Sequence, residues 1–199
     1  MDFKIGNCRI CISPLFAVML SLILLIDRTG IMLFGILSVI IHETGHLVFM
    51  FLTKKHPEKV VFQLGGIIIT SKKTASYNSE LLIALGGCLL NFLACLTSGF
   101  IYLYNRNEMM FIFSAANFGL MIFNLMPINS LDGMDIIKFS LLKKYSLEKV
   151  RSVCNIISLC FLLVASFLSV YSVVTLGLNP TILICLLYLL ILTLLSMKN

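Results

Sequence analysis

Residues 41–46 read Ile-His-Glu-Thr-Gly-His, which sets His42 and His46 four positions apart with Glu43 next to the first. On a helix that spacing puts both imidazoles on one face, where each can offer a ring nitrogen to the same divalent ion. Zn2+ held by such a pair still needs a third protein ligand and an open position for water. Glu43 can take the proton of that water as general base. The expected chemistry is therefore metal-assisted hydrolysis. Thr44 and Gly45 are small and would let a neighbouring helix or a substrate backbone come close.

A third ligand is available further along. The run Asn124-Leu-Met-Pro127-Ile-Asn-Ser-Leu131-Asp132-Gly133 closes a later apolar segment with a carboxylate, and Asp135 follows three residues on as its rival. His46 is eight residues short of Lys54, so it lies roughly 12 Å beneath the charged surface. Asp132, near an interrupted helix end, belongs to the same half of the membrane.

An isolated H-E-x-x-H is short enough to arise by chance on a solvated helix. Here it sits inside an otherwise apolar run, where each ionisable group costs on the order of several kcal/mol unless it is paired or faces a polar cavity. The competing reading is a set of buried polar residues that serve as an ion path, in a membrane transporter or metal-handling scaffold, or that persist in a chain that has lost the hydrolytic activity.

The elements that position these residues are membrane helices. The chain is 59% hydrophobic and 12% charged, with a mean hydropathy of +1.04, outside the range of soluble globules. Six apolar runs are expected to cross, over about 10–26, 31–52, 81–103, 109–126, 153–174 and 181–196. That arrangement puts 13 of the 15 Lys and Arg on one side, leaving Arg28 and Arg106 on the other. By the positive-inside rule the shared side, with both termini, is cytoplasmic. The net charge of +6 thus has a topological origin and does not call for nucleic acid. Most of the seven cysteines fall inside spans, where a thiol behaves as a small apolar group.

One membrane-embedded domain over 1–199 is expected, with a core at about 10–142 and two further helices at about 153–196. The fold class is all-α and polytopic, with a β-hairpin or re-entrant segment after the second span. That hairpin comes from two β-prone runs, Val60–Leu64 and Ile67–Thr70, joined by Gly65 and Gly66. An extended surface loop is the alternative there.

His-Glu-Thr-Gly-His in one span, Gly86-x-x-x-x-Asn91 in the next and Asn-Leu-Met-Pro-Ile-Asn-Ser-Leu-Asp-Gly after another resemble the site-2 protease family of intramembrane metalloproteases, peptidase family M50. The resemblance implies one Zn2+ per chain held by His42, His46 and Asp132, with Glu43 as base. It further implies that Asn91 and Asn124 shape the site or hold substrate, and that the loop around Gly65 and Gly66 presents an edge strand to substrate. Motifs on the second and fourth spans are similar to the bacterial branch that includes the stage IV sporulation protease. This implies a multi-pass protein of a bacterial cell membrane, acting on a membrane-associated protein and controlled by other membrane proteins. Two positions depart from the family: Gly86-Gly87 stands where Gly-Pro is usual, and Met134-Asp135 follow the Asp-Gly where a second Gly is common.

Overall fold

The structure is a computed structural model that describes residues 2–5, 8–27, 29–55, 58–63, 66–70, 76–177 and 181–198. Contacts divide the chain into two units, Met1–Ile122 and Phe123–Asn199.

The first unit opens on strands β1 (Asp2–Ile5) and β2 (Cys8–Ile12), followed by helices α1 (Pro14–Ile26) and α2 (Ile31–Leu52). Strands β3 (Lys59–Gln63) and β4 (Gly66–Thr70) come next, and then helices α3 (Tyr77–Asn105) and α4 (Glu108–Asn124). The expected hairpin is present: β3 and β4 run antiparallel, with Val60 opposite Ile69 and Gln63 opposite Gly66. Gly65 lies outside the described residues.

The sheet is larger than the hairpin. Its order is β1-β2-β3-β4, and β2 joins β3 in parallel with Ile10 opposite Val60. The apolar run that starts at Ile10 is therefore not one span. Its first residues are β-branched and extend as a strand, and Pro14, lacking an N–H, opens the helix at its first position. The remaining 13-residue helix is about 20 Å long, short of a hydrocarbon core of about 30 Å.

Among the described residues, three helices are long and apolar enough to cross a membrane: α2, α3 and α6 (Leu147–Leu176). The six expected spans thus reduce to three that meet the length, while α1, α4 and the apolar stretch Thr181–Leu194 of α7 (Thr181–Lys198) are shorter.

Local chemistry sets the helix ends. Asp27 receives the N–H groups of Thr29, Gly30 and Met32 and the Thr29 hydroxyl, which caps the start of α2. Partial desolvation pushes its carboxyl up, but the bonds from Thr29, Met32 and Leu33 outweigh it and hold the group below its ordinary value. Ser76 caps α3 by accepting from Ser79 N–H. Lys55, just past α2, pairs with Glu80 in the first turn of α3 and ties the two helices at that end.

In the second unit the helices are α5 (Asp132–Leu141), α6 and α7. A helix at α5 was not expected, because the apolar run before it ends at Met126. Its amphipathic sequence buries Met134 with Val150 and Cys154 of α6. A second cluster joins Ile128 from the turn before α5 to Leu162 of α6 and to Leu186 and Leu189 of α7.

Candidate metal centre

The histidine pair lies where α2 crosses α3. The crossing is backbone to backbone: a Cβ on Gly45 would sit 2.8 Å from Gly87 Cα, and one on Gly86 would sit 2.7 Å from Gly45 O. Only glycine at these positions permits the approach, as in close-packed membrane helices. Gly45 and Gly86 are buried, and so is His42, at 4% exposure.

At this crossing the two imidazoles turn their Nε2 atoms toward each other, 3.1 Å apart, with the rings almost perpendicular at 84°. Two nitrogens each about 2.0–2.1 Å from one Zn2+ at a tetrahedral angle would be about 3.3 Å apart. On the far side of its ring, His46 Nδ1 lies 2.8 Å from the backbone oxygen of Ile83. A carbonyl can only accept, so Nδ1 carries the proton and the lone pair of Nε2 faces the crossing. That tautomer is the one a metal needs.

Gly87 is the residue that sequence reasoning noticed but misread. It registers there only as a departure from Gly-Pro, whereas in the structure it is the wall against which both rings rest. A Cβ at Gly87 would lie 2.6 Å from His42 Cε1 and 2.7 Å from His46 Nε2. Gly87→Ala is expected to push the rings apart and weaken zinc binding by about 10- to 100-fold, the range seen when residues supporting a ligand are changed. A competition titration with a zinc-binding dye checks this.

One helical turn from His42 is a layer of buried polar side chains. Ser38 precedes His42 by four residues on α2, and Asn91 follows Gly87 by four on the antiparallel α3, so both lie at the same level. Asn117 of α4 joins them, because Ser114 donates to the Cys95 carbonyl at 2.9 Å and each helix then advances about one turn. All three are fully buried. Ser38 donates to Phe34 O and Asn117 to Phe113 O, while neither amide atom of Asn91 has a partner among the described residues. Ser38 and Asn117 escaped the sequence reading; their helical offset from His42 and Ser114 was the available pointer. Buried amides without partners are rare, and here they make the interior beyond His42 polar.

Glu43, next to His42 on α2, is half-buried. In the second unit, Asp132 is the first residue of α5 and is also half-buried. Its position is set by the turn before it. A Cβ on Gly133 would meet Leu125 C at 2.5 Å, so α5 starts against the backbone that leaves α4. Asn129 anchors the turn to α6, donating its backbone N–H to Ser158 Oγ and its side-chain amide to Asn155 Oδ1, at 3.1 and 2.8 Å. Asn124 ends α4 just before this turn. Asp135 faces Lys138 at 3.8 Å with both side chains about half exposed.

In sequence, neither a protein-family model nor a curated protein matches the chain. In structure, the chain is similar to a site-2 protease from Methanocaldococcus jannaschii, with a TM-score of 0.65 and 21% identity, over 96% of this chain and 92% of that one. At that identity the likeness concerns the fold.

Proposed function

We propose that this fold serves here as an intramembrane zinc metalloendopeptidase, with His42, His46 and Asp132 as the donor set and Glu43 as the base. The observation that carries the reading is the convergence of the two Nε2 atoms, with the His46 tautomer set by the Ile83 carbonyl. Two imidazoles and a carboxylate are the donors of catalytic zinc sites that keep a position open. Zn2+ bound there would supply a Lewis acid that makes water a usable nucleophile and polarises the scissile carbonyl.

The chain's own groups do the rest. Glu43 accepts a proton from the attacking water and returns it to the amide nitrogen that leaves. Gly87 leaves the space in which both rings can turn inward. The fully buried Asn91 carries an amide that can hold a substrate carbonyl or a water, and we assign Asn124 a part in shaping the site. The substrate is a membrane-associated protein whose helix must unwind before cleavage, since its carbonyls are otherwise bonded within the helix. The outer edge of β4, which begins at Gly66, would pair with the unwound segment and satisfy its backbone groups. We place the basic loops and both termini on the cytoplasmic side of a cell membrane, with the whole chain as one functional domain.

The test is co-expression with candidate single-span substrates, including a sporulation sigma-factor precursor. The expected result is a shorter product that disappears when a membrane-permeant zinc chelator is added and returns with zinc. A product indifferent to chelation overturns the reading. The polar layer of Ser38, Asn91 and Asn117 would also suit a non-proteolytic ion path; in that case no product forms and the protein conducts zinc or protons in vesicles.

A further inference from the structure

The second unit contains a cavity that plays no part in the proposed hydrolysis. It lies between α5 and the start of α6, has a volume of about 320 Å3 and is lined in part by Lys138 and Arg151. We propose that this cavity binds the headgroup of an anionic phospholipid. The inference needs α6 to be a membrane helix, and it does not depend on the protease reading.

Three features of the cavity carry it. The first is charge. The lining residues include two cations, Lys138 and Arg151, and one carboxylate, Asp135, so the formal charge of the lining is positive. The Asp135–Lys138 pair is long, at 3.8 Å, with both side chains about half exposed, and pairs of that kind contribute little. A phosphate oxygen can therefore compete for the ammonium. The chain adjoining the cavity adds Lys143, Lys144 and Lys149 against the one carboxylate of Glu148, all exposed.

The second feature is the two-sided lining. Asn129 and Asn155 offer a polar wall, already fixed in place by their mutual bond, which suits the hydroxyls and ester oxygens of a headgroup. The opposite wall is apolar, from Val150 and Cys154, with Leu147 at the rim. A soluble anion would have no use for that surface, whereas the glycerol and first acyl carbons of a lipid would.

The third feature is depth. Arg151 is the last charged residue before α6 runs uncharged to its end at Leu176. From Arg151 to that end is about 37 Å of helix, enough to cross the hydrocarbon. The cavity therefore opens where headgroups lie. Basic pockets at that level, on the side of the membrane rich in Lys and Arg, are the setting in which anionic lipids are held.

The experiment is native mass spectrometry of the full chain released from vesicles of equal phosphatidylglycerol and phosphatidylcholine. We expect phosphatidylglycerol to remain bound in preference to phosphatidylcholine, and the preference to fall about tenfold or more in Lys138→Ala/Arg151→Ala but not in Arg106→Ala, which removes a cation outside the cavity. Asp135→Asn removes the competing carboxylate and should strengthen retention, so the idea stays testable if the double variant fails to fold. Equal retention of both lipids, a preference unchanged in both cavity variants, or displacement of the lipid by inorganic phosphate would each overturn the proposal. Zinc content is measured in the same samples, so loss of lipid with zinc intact separates this site from the metal centre.

Discussion

Glu43→Gln is expected to lower cleavage by about 10²- to 10⁴-fold, the usual contribution of a positioned general base, while zinc remains bound at the wild-type level. The substitution keeps size and shape and removes only the ability to accept a proton. Glu43 immediately follows His42 on α2, so its side chain leaves the helix about 100° around from the imidazole and is not itself needed as a donor. Product measured by immunoblot alongside metal analysis of the same preparation checks both halves. Normal turnover in this variant refutes the assignment, and loss of zinc along with activity would mean that Glu43 acts as a ligand or holds one in place.

The second large effect concerns the donors. His46→Ala should drop bound zinc from one per chain to background. Asp132→Asn should do the same, while Asp135→Asn should retain the ion. The contrast between the two carboxylates decides which is the third ligand, and it has a physical basis within the second unit. Asp135 lines the cavity with Lys138 and Arg151 and stands 3.8 Å from the Lys138 ammonium. Asp132 stands at the start of α5, in a place fixed by the close contact of Gly133 with the end of α4 and by the anchoring of Asn129 on α6. That fixes the backbone from which the Asp132 carboxylate projects, so less conformational freedom remains to be lost when it binds. Metal content by atomic absorption across the three variants is the measurement; zinc retained in Asp132→Asn would remove that residue from the donor set.

How much of this was legible beforehand follows from the range of each interaction. His42, Glu43 and His46 could be read because four-residue spacing on a helix is local, and charge inside an apolar run is conspicuous. The β3–β4 hairpin could be read for the same reason: Val60–Phe62 and Ile67–Ile69 are adjacent β-prone runs. What failed was the boundary at Ile10. Hydropathy counts an apolar strand and an apolar helix alike, and only the pairing of Ile10 with Val60, some fifty residues away, separates them. Gly87 was invisible as a support for the imidazoles because its role depends on which helix crosses α2 and where. Ser38 and Asn117 look like ordinary polar residues in apolar helices until the antiparallel register of α3 and α4 sets them level with Asn91. The amphipathic α5 was missed because a search for long apolar runs passes over a ten-residue helix with charges in both of its end turns.

The parallel pairing of β2 with β3 has a consequence for how the protein is made. Strand β2 is synthesised before α1 and α2, and its partner β3 only after both. During translation the edge of β2 that faces away from β1 must wait, with its backbone hydrogen-bonding groups served by water, until two apolar helices have left the ribosome. Once β3 emerges, the ladder closes the chain into a loop, so residues 9–12 and 59–62 come to rest side by side in one sheet. The two ends of the α1–α2 segment are thereby tied to each other, and separating them requires breaking the sheet.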